Sequence, residues 1–312
     1  MIVEFAIDPK SILDWTSRES YSVMIQQFGI DTGRVFASHP KISKWKKAVY
    51  DEAALHGLKE LDRARLEELI RAFTECKISR DFGRKPYDKN RSWVDCALDQ
   101  DPDQSFHGII AVEYQGDDDK IIKGKFYEII SNEKFANLSD KRVPRNATEM
   151  AASIKRFLQI SNRIKFLDPY FTFRPQYLDT ITEFIKISLD QVGGNSKPNF
   201  EIHCTDSCPN TPSEVEKLAR KLPTGIKVTI HRWEIKSDGG ERFHDRHIIS
   251  DVGGVSFGSG LDRSDHSMGD ETVIIKRVGV SVLNSLEKDF NLLAPTFNKI
   301  GDPIVVIGKA RS

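Results

Sequence analysis

The chain is poor in cysteine, with four among 312 residues, and that excludes the disulfide framework of a small secreted scaffold. Its opening, Met1-Ile2-Val3-Glu4-Phe5, lacks the basic start and apolar run of a secretory leader, and no apolar stretch reaches membrane-spanning length. A cytoplasmic protein without a membrane partner is expected. Neither sign of charge is in excess, since Lys+Arg and Asp+Glu both number 46. No global field therefore draws the chain to a polyanion, and any such contact must come from a local patch. With 39% hydrophobic and 29% charged residues, the composition suits neither a disordered nor a fibrous chain.

What is present divides into two parts, a length comfortable for two domains. Residues 1–140 read as an α+β domain. Ile2 to Ile7 suits a short strand, and Trp45, Val49 and Ala53, then Leu66, Ile70 and Phe73, recur at helical spacing. Residues 107–114 and 120–130 read as a hairpin with Gly116-Asp117-Asp118-Asp119 at its tip. Two basic, aromatic-bearing stretches are candidates for tracking a phosphate backbone: Lys44 and Lys47 beside Trp45, and Arg84, Lys85 and Arg91 within the loop 80–91. No reaction attaches to this half, which leaves it recognition, regulation or docking of a partner protein.

Residues 137–145, polar and proline-containing, read as a linker. From Asn146, a helix cap with Glu149 three residues on, the grammar becomes regular. Strands are expected at 163–167, 200–204, 226–230 and 271–277, separated by helices that include one opened by Thr211-Pro212-Ser213-Glu214 and a last one over 280–293. A βαβαβ start with appended strands predicts an α/β/α sandwich with a mixed sheet over 146–312. His203, Cys204 and Cys208 lack an evident fourth ligand and read as core residues rather than a zinc site.

Chemistry gathers in one stretch, Phe243-His244-Asp245-Arg246-His247-Ile248-Ile249-Ser250-Asp251. Alternation along a strand puts His244, Arg246, Ile248 and Ser250 on one face. A turn at Gly253-Gly254 would set Ser259 opposite Ile248 on that same face, with Gly258 beside it. An imidazole, a permanent cation and a hydroxyl then converge, which suits holding and attacking a phosphate. Asp251 falls on the other face as a support. Asp168, after a presumed central strand, stands where α/β folds build their sites.

The run His244-x-Arg246-x4-Asp251-x6-Gly258-Ser259 resembles the phospholipase D superfamily signature, H-x-K-x4-D followed by G-S-x-N, with Glu271 where that superfamily's nucleases place a glutamate. Arg246 replaces the lysine and Leu261 the asparagine. A search for a second copy fails, because Lys46 stands where His39-Pro40-Lys41 would need its aspartate. The resemblance implies His244 as the nucleophile and a second copy's His244 as the acid, hence a homodimer or higher even oligomer. It further implies Arg246, Ser259 and Gly258 around the phosphate, Glu271 on the imidazole, and neither metal nor cofactor. A metal-independent nuclease of a prokaryotic restriction or phage-defence type follows, with DNA favoured over RNA. The arginine-containing, leucine-ended form also looks like the lipid-binding C-terminal domain of a midbody-associated MIT-domain protein. That likeness keeps open a silent phosphate- or headgroup-binding module, or a phospholipid hydrolase.

Overall fold

The computed structural model describes residues 1–29, 31–78, 83–136, 140–190, 197–234, 243–265, 271–293 and 295–310. Its contacts divide the chain into two compact units, the first over Ile2–Leu138 and the second over Ser139–Asp190 and Asn195–Ser312. Both are mixtures of helix and sheet.

In the first unit, β1 (Val3–Ile7) runs into a 3-10 turn (Pro9–Trp15) and α1 (Arg18–Met24), the latter capped by Ser17. Then come β2 (Arg34–Phe36), α2 (Ile42–His56), α3 (Glu60–Glu75), α4 (Trp93–Leu98), β3 (Gly108–Ile110), β4 (Ile121–Ile122), α5 (Phe126–Ser131) and α6 (Glu133–Ala136). The strands form a four-stranded sheet in the order β2-β1-β3-β4, and every neighbouring pair is parallel. This corrects the expected α+β domain and its hairpin: β3 and β4 run side by side in the same direction, with Ile109 level with Ile121. Both faces of the sheet are covered. Phe5, Ile7, Ile110 and Ile122 pack with Trp45, Leu69 and Phe73 on one side, while Ala6, Ile109 and Ile121 pack with Val94, Ala97 and Phe106 on the other. Short strands buried on both faces read as unbroken apolar runs, a pattern that carries no information about direction.

The second unit opens with β5 (Lys141–Pro144), α7 (Ala147–Ser153) and α8 (Lys155–Ile160), where one continuous helix and a preceding linker were expected. Asn146 caps α7 as anticipated, accepting from the Glu149 amide at 2.9 Å. There follow β6 (Arg163–Leu167), α9 (Pro175–Leu189), β7 (Asn199–Thr205), α10 (Pro212–Lys221), β8 (Lys227–Glu234), β9 (His247–Ser250), β10 (Gly253–Phe257), β11 (Thr272–Arg277), α11 (Val280–Asp289), β12 (Asn298–Lys299) and β13 (Ile304–Ile307). They build a nine-stranded mixed sheet, β12-β8-β7-β6-β9-β10-β11-β5, with β13 also on β8. Strands β6, β7 and β8 are parallel, and β9 joins β6 antiparallel.

Alternation sorts the side chains of this sheet onto two faces. Phe166 and Phe257 face α9 through Phe184, with ring centroids 6.0 and 5.8 Å away. Each ring so buried contributes on the order of 2–3 kcal/mol. On the opposite face Phe290, at the end of α11, packs on His203 and Trp233. Gly254 lets the two layers approach closely there: a Cβ would come within 3.3 Å of Leu283 of α11 and within 3.2 Å of Ile249, so these side chains would have to give way.

The β9–β10 hairpin closes at Asp251-Val252, not at Gly253-Gly254: Ser250 pairs with Gly253 and Ile248 with Val255. The expected pairing of Ser259 with Ile248 is thereby corrected. Two glycines suit a tight turn, but close packing of α11 claims Gly254 for the strand.

Candidate functional site

The hairpin register slips by an even number of residues, so the faces are kept. Phe257 donates its amide to the Arg246 carbonyl at 2.9 Å, and beyond this rung the chain turns, with the Gly260 amide bonded back to the Phe257 carbonyl. Continuing β6 past its pairing of Leu167 with His247 sets Asp168 opposite Arg246. Asp168 and Arg246 therefore lie together at the carboxyl end of β6, with His244 two residues before Arg246, ahead of β9, and Ser259 in the turn after β10.

Their environments differ. His244 lies ahead of β9, exposed, without a hydrogen bond or ion pair to a described residue. Gly258 and Ser259 are exposed in the turn after β10. Arg246 is half-buried, its guanidinium carbon 4.7 Å from the centre of the Tyr170 ring, and its Nε is buried without a hydrogen-bond partner among the described residues. Asp168 is fully buried. It accepts from the Tyr170 amide at 2.9 Å and the Leu261 amide at 3.1 Å. Burial raises its carboxyl to about 6 against the lowering effect of those two amides and the Arg246 cation. Tyr177 nearby is likewise raised, by burial first and by Asp168 second.

Arg145, placed by sequence in a linker, organises the Ser259 turn. It donates Nη2 to the Ser259 carbonyl at 2.7 Å and to Asp262 Oδ1 at 2.6 Å, Nε to the Asp262 carbonyl at 3.2 Å, and Nη1 to Glu271 Oε2 at 3.2 Å. Gly260 is fixed by this arrangement: its φ is 114° and a Cβ would meet Asp262 Oδ1 at 2.5 Å. Glu271, expected on the His244 imidazole, accepts from Arg145, and no bond from it to His244 is present among the described residues. Leu261, at the asparagine position of the motif, is buried and contributes only its amide.

Asp251 sits at the other end of the hairpin from His244, where it accepts from the Asn162 amide at 2.8 Å, the Arg163 amide at 3.2 Å and Asn162 Nδ2 at 2.9 Å. It ties the start of β6 to the end of β9. His266, which its place in the loop 261–270 makes a candidate to reach this site, lies outside the described residues.

The candidate phosphate contacts of the first unit are mostly engaged elsewhere. Arg84 bonds Glu4 at 2.6 Å and the Gln104 carbonyl at 3.0 Å while lying over Phe106. Lys85 pairs with Asp101 and Arg91 with Asp99. Lys44 and Lys47 are exposed on α2. Arg80, within the same basic stretch, lies outside the described residues.

Sequence reading also passed over a group on the α11 face. Glu201, His203 and His231 bring potential metal-ligand atoms within 4.8 Å of one another. Trp233 donates its indole N–H to His203 Nδ1 at 3.0 Å, so the ring proton sits on Nε2, which faces Glu201 Oε2 at 3.2 Å. A nitrogen bearing a proton has no lone pair for a metal, so His203 is committed to Trp233 and Glu201, while His231 Nδ1 is buried without a hydrogen-bond partner among the described residues. Burial lowers His203, and pushes His231 down to about 4. Cys204 follows His203 on the strand and faces the opposite side, so the two cannot share an ion.

Among the described residues, no helix is long and apolar enough to cross a membrane. No family model and no curated protein matches the chain. Among solved structures it is similar to TrmBL2, an archaeal chromatin protein that shows a novel mode of DNA binding, at 14% identity and a TM-score of 0.28. The match covers 53% of this chain and spans about half, 55%, of that one.

Proposed function

We propose that the second unit is a phospholipase-D-like sandwich that binds a phosphodiester beside Arg246 and cleaves it through His244. The proposed substrate is nucleic acid, DNA before RNA, in a restriction or phage-defence setting within the cytoplasm, and the first unit recognises or regulates. One observation supports the reading: a half-buried guanidinium whose Nε has no partner among the described residues, with exposed His244 two residues before it and exposed Ser259 two residues past the Phe257 amide that bonds its carbonyl. A phosphodiester is anionic and resists attack until a cation meets its oxygens, and arginine does this bidentately.

In the proposed reaction an imidazole nitrogen of His244 bonds to phosphorus as the bond to the leaving oxygen breaks. The leaving oxygen takes a proton from the imidazole of a second copy. Water then attacks phosphorus, returns a proton to that second imidazole, and the N–P bond breaks.

A second reading, a silent phosphate- or headgroup-binding module, is favoured by the capture of Glu271 by Arg145 and by the buried Leu261. Incubating the purified protein with single- and double-stranded DNA, RNA and phospholipid, each with and without chelator, separates the two. Chelator-resistant cleavage of nucleic acid supports the nuclease. Binding without cleavage of any of them selects the module.

A further inference from the structure

The carboxyl ends of β6 and β7 carry more than Arg246 and its neighbours. After β6 the chain runs Asp168-Pro169-Tyr170-Phe171-Thr172-Phe173-Arg174 into α9. Phe171 and Phe173 are buried, with ring centroids 5.7 Å apart, and pin this segment to the core. Tyr170, Thr172 and Arg174, beside and between them, stay at least partly exposed. The loop after β7 is tied to the segment, because Thr205 donates its amide to the Pro169 carbonyl at 3.2 Å and its hydroxyl to the same oxygen at 2.7 Å. A cavity of about 360 Å³ lies here, walled by Thr172 and Arg174 after β6, Ser207 after β7, and Glu214 and Lys217 of α10. Open α/β sheets hold ligands in such crevices outside the carboxyl ends of their strands.

Tyr170 is 48% exposed, and the Arg246 guanidinium lies over its ring. An exposed tyrosine alone needs no explanation. This one is held in place, since its amide donates to buried Asp168 at 2.9 Å, and it stands beside a cation whose buried Nε has no partner among the described residues. An aromatic face next to a cation suits an unpaired base and the phosphate attached to it. In the cavity, Thr172 Oγ1 is buried without a hydrogen-bond partner among the described residues, a cost that a polar group entering the cavity would remove. Glu214 is engaged by Lys217 at 2.6 Å, whereas the Arg174 side chain makes no hydrogen bond or ion pair among the described residues. The cation left over selects an anionic group as the occupant.

We propose that the phosphodiester at Arg246 belongs to a single strand, with Tyr170 stacking on the adjoining base and Arg174 meeting a neighbouring phosphate over the cavity, an assignment that rests on Arg246 being the phosphate's cation. From Tyr170 to Arg174 the chain spans at most about 14 Å, which about four stacked nucleotides cover at roughly 3.4 Å each. One strand can therefore touch both. In a duplex the bases are stacked and paired with one another, and none can lie on Tyr170 without being pulled out of the stack.

Fluorescence anisotropy of the full chain with a non-cleavable thymidine oligonucleotide, free or annealed to its complement, tests this. The single strand is expected to bind at least about tenfold more tightly than the duplex, and Tyr170→Ala to lose about tenfold or more, the effect of one base stacked on an aromatic ring. Tyr170→Phe keeps the ring and should keep the affinity. Arg174→Ala should reduce the slope of log affinity against log salt by about 0.7, one phosphate contact on a single strand. Scanning an abasic nucleotide along the strand separates stacking from mere placement of Arg246 by Tyr170. At one position it should cost wild type about as much as Tyr170→Ala does, and cost that variant nothing more. Equal affinity for strand and duplex, an unchanged salt slope in Arg174→Ala, or an abasic scan that affects wild type and Tyr170→Ala alike overturns the proposal. Weakened binding in Arg246→Ala but not in Tyr170→Ala sinks the single-strand assignment alone. Binding that Arg246→Ala leaves intact, or binding of phosphatidic acid vesicles without binding of the oligonucleotide, sinks the nuclease reading and this assignment together.

Discussion

The amide of Leu261 donates to Asp168 Oδ2 across 3.1 Å, joining the loop that carries Ser259 to the end of β6, 93 residues earlier in the chain. A buried carboxylate thus serves as the floor of the candidate site, and its ionisation is coupled to folding. Burial raises Asp168 from the ordinary 3.8 to about 6. Between those values the folded chain holds more protons than the unfolded chain, so this group makes the protein lose stability as pH rises from about 4 to 6. The span corresponds to at most about 3 kcal/mol. Urea denaturation of Asp168→Asn should show a flatter dependence on pH than wild type across this window. Parallel curves would remove Asp168 as the responsible group.

Arg145 joins β5, the Ser259 turn and Glu271 through four donated bonds. Arg145→Ala should cost about 2–3 kcal/mol, since hydrogen bonds to charged groups are worth more than neutral ones and Asp262 loses its partner. Arg145→Lys should recover only part of this, because an ammonium cannot fork between two acceptors. Faster amide exchange at Gly260 and Leu261 would accompany the loss. An unchanged loop in Arg145→Ala would mean that Asp168 alone holds it.

The sequence made the parity of the hairpin legible and hid its turn. A period of two fixes which residues share a face, so Ile248 and Val255 stay on the α9 face even though the loop closes two residues earlier than the glycine pair suggested. The direction of the strands in the first unit was hidden because β3 and β4 have only three and two residues, too few for flanking signals to orient them. Arg145 was hidden for another reason. Its partners lie 114 to 126 positions away, and no local pattern marks a cation whose role depends on contacts so distant in the chain.

Arg246 and Glu271 should separate in kinetics. Arg246→Ala removes the cation proposed to meet the phosphate and is expected to weaken binding of a non-cleavable oligonucleotide by at least about tenfold, with cleavage falling further. Glu271→Gln keeps the shape of the side chain while loosening Arg145, so cleavage should fall with binding nearly intact. Equal losses of affinity in the two variants would show that both contact the substrate.

With one copy of the motif per chain, the proposed reaction requires a site shared across a twofold axis, since attack and leaving-group protonation come from opposite sides of phosphorus. Cleavage should survive chelation and vanish in His244→Ala. Mixing equal amounts of wild-type and His244→Ala chains to exchange should leave about one quarter of the activity, that of wild-type pairs alone. A remainder of about one half would mean that each chain works by itself.

Strand β5 also dictates where the protein can be cut. Its residues Lys141–Pro144 supply the outer rung against β11, pairing Arg142 with Ile274 and Pro144 with Thr272. A chain begun at Asn146 would discard that rung together with Arg145. It would bare the hydrogen-bonding edge of β11, where exposed Ile274 stands, to any passing strand. Dissection of the two units therefore has to leave residues 141–145 on the C-terminal piece, and a fragment that aggregates when started five residues later would have lost its edge guard rather than its capacity to fold.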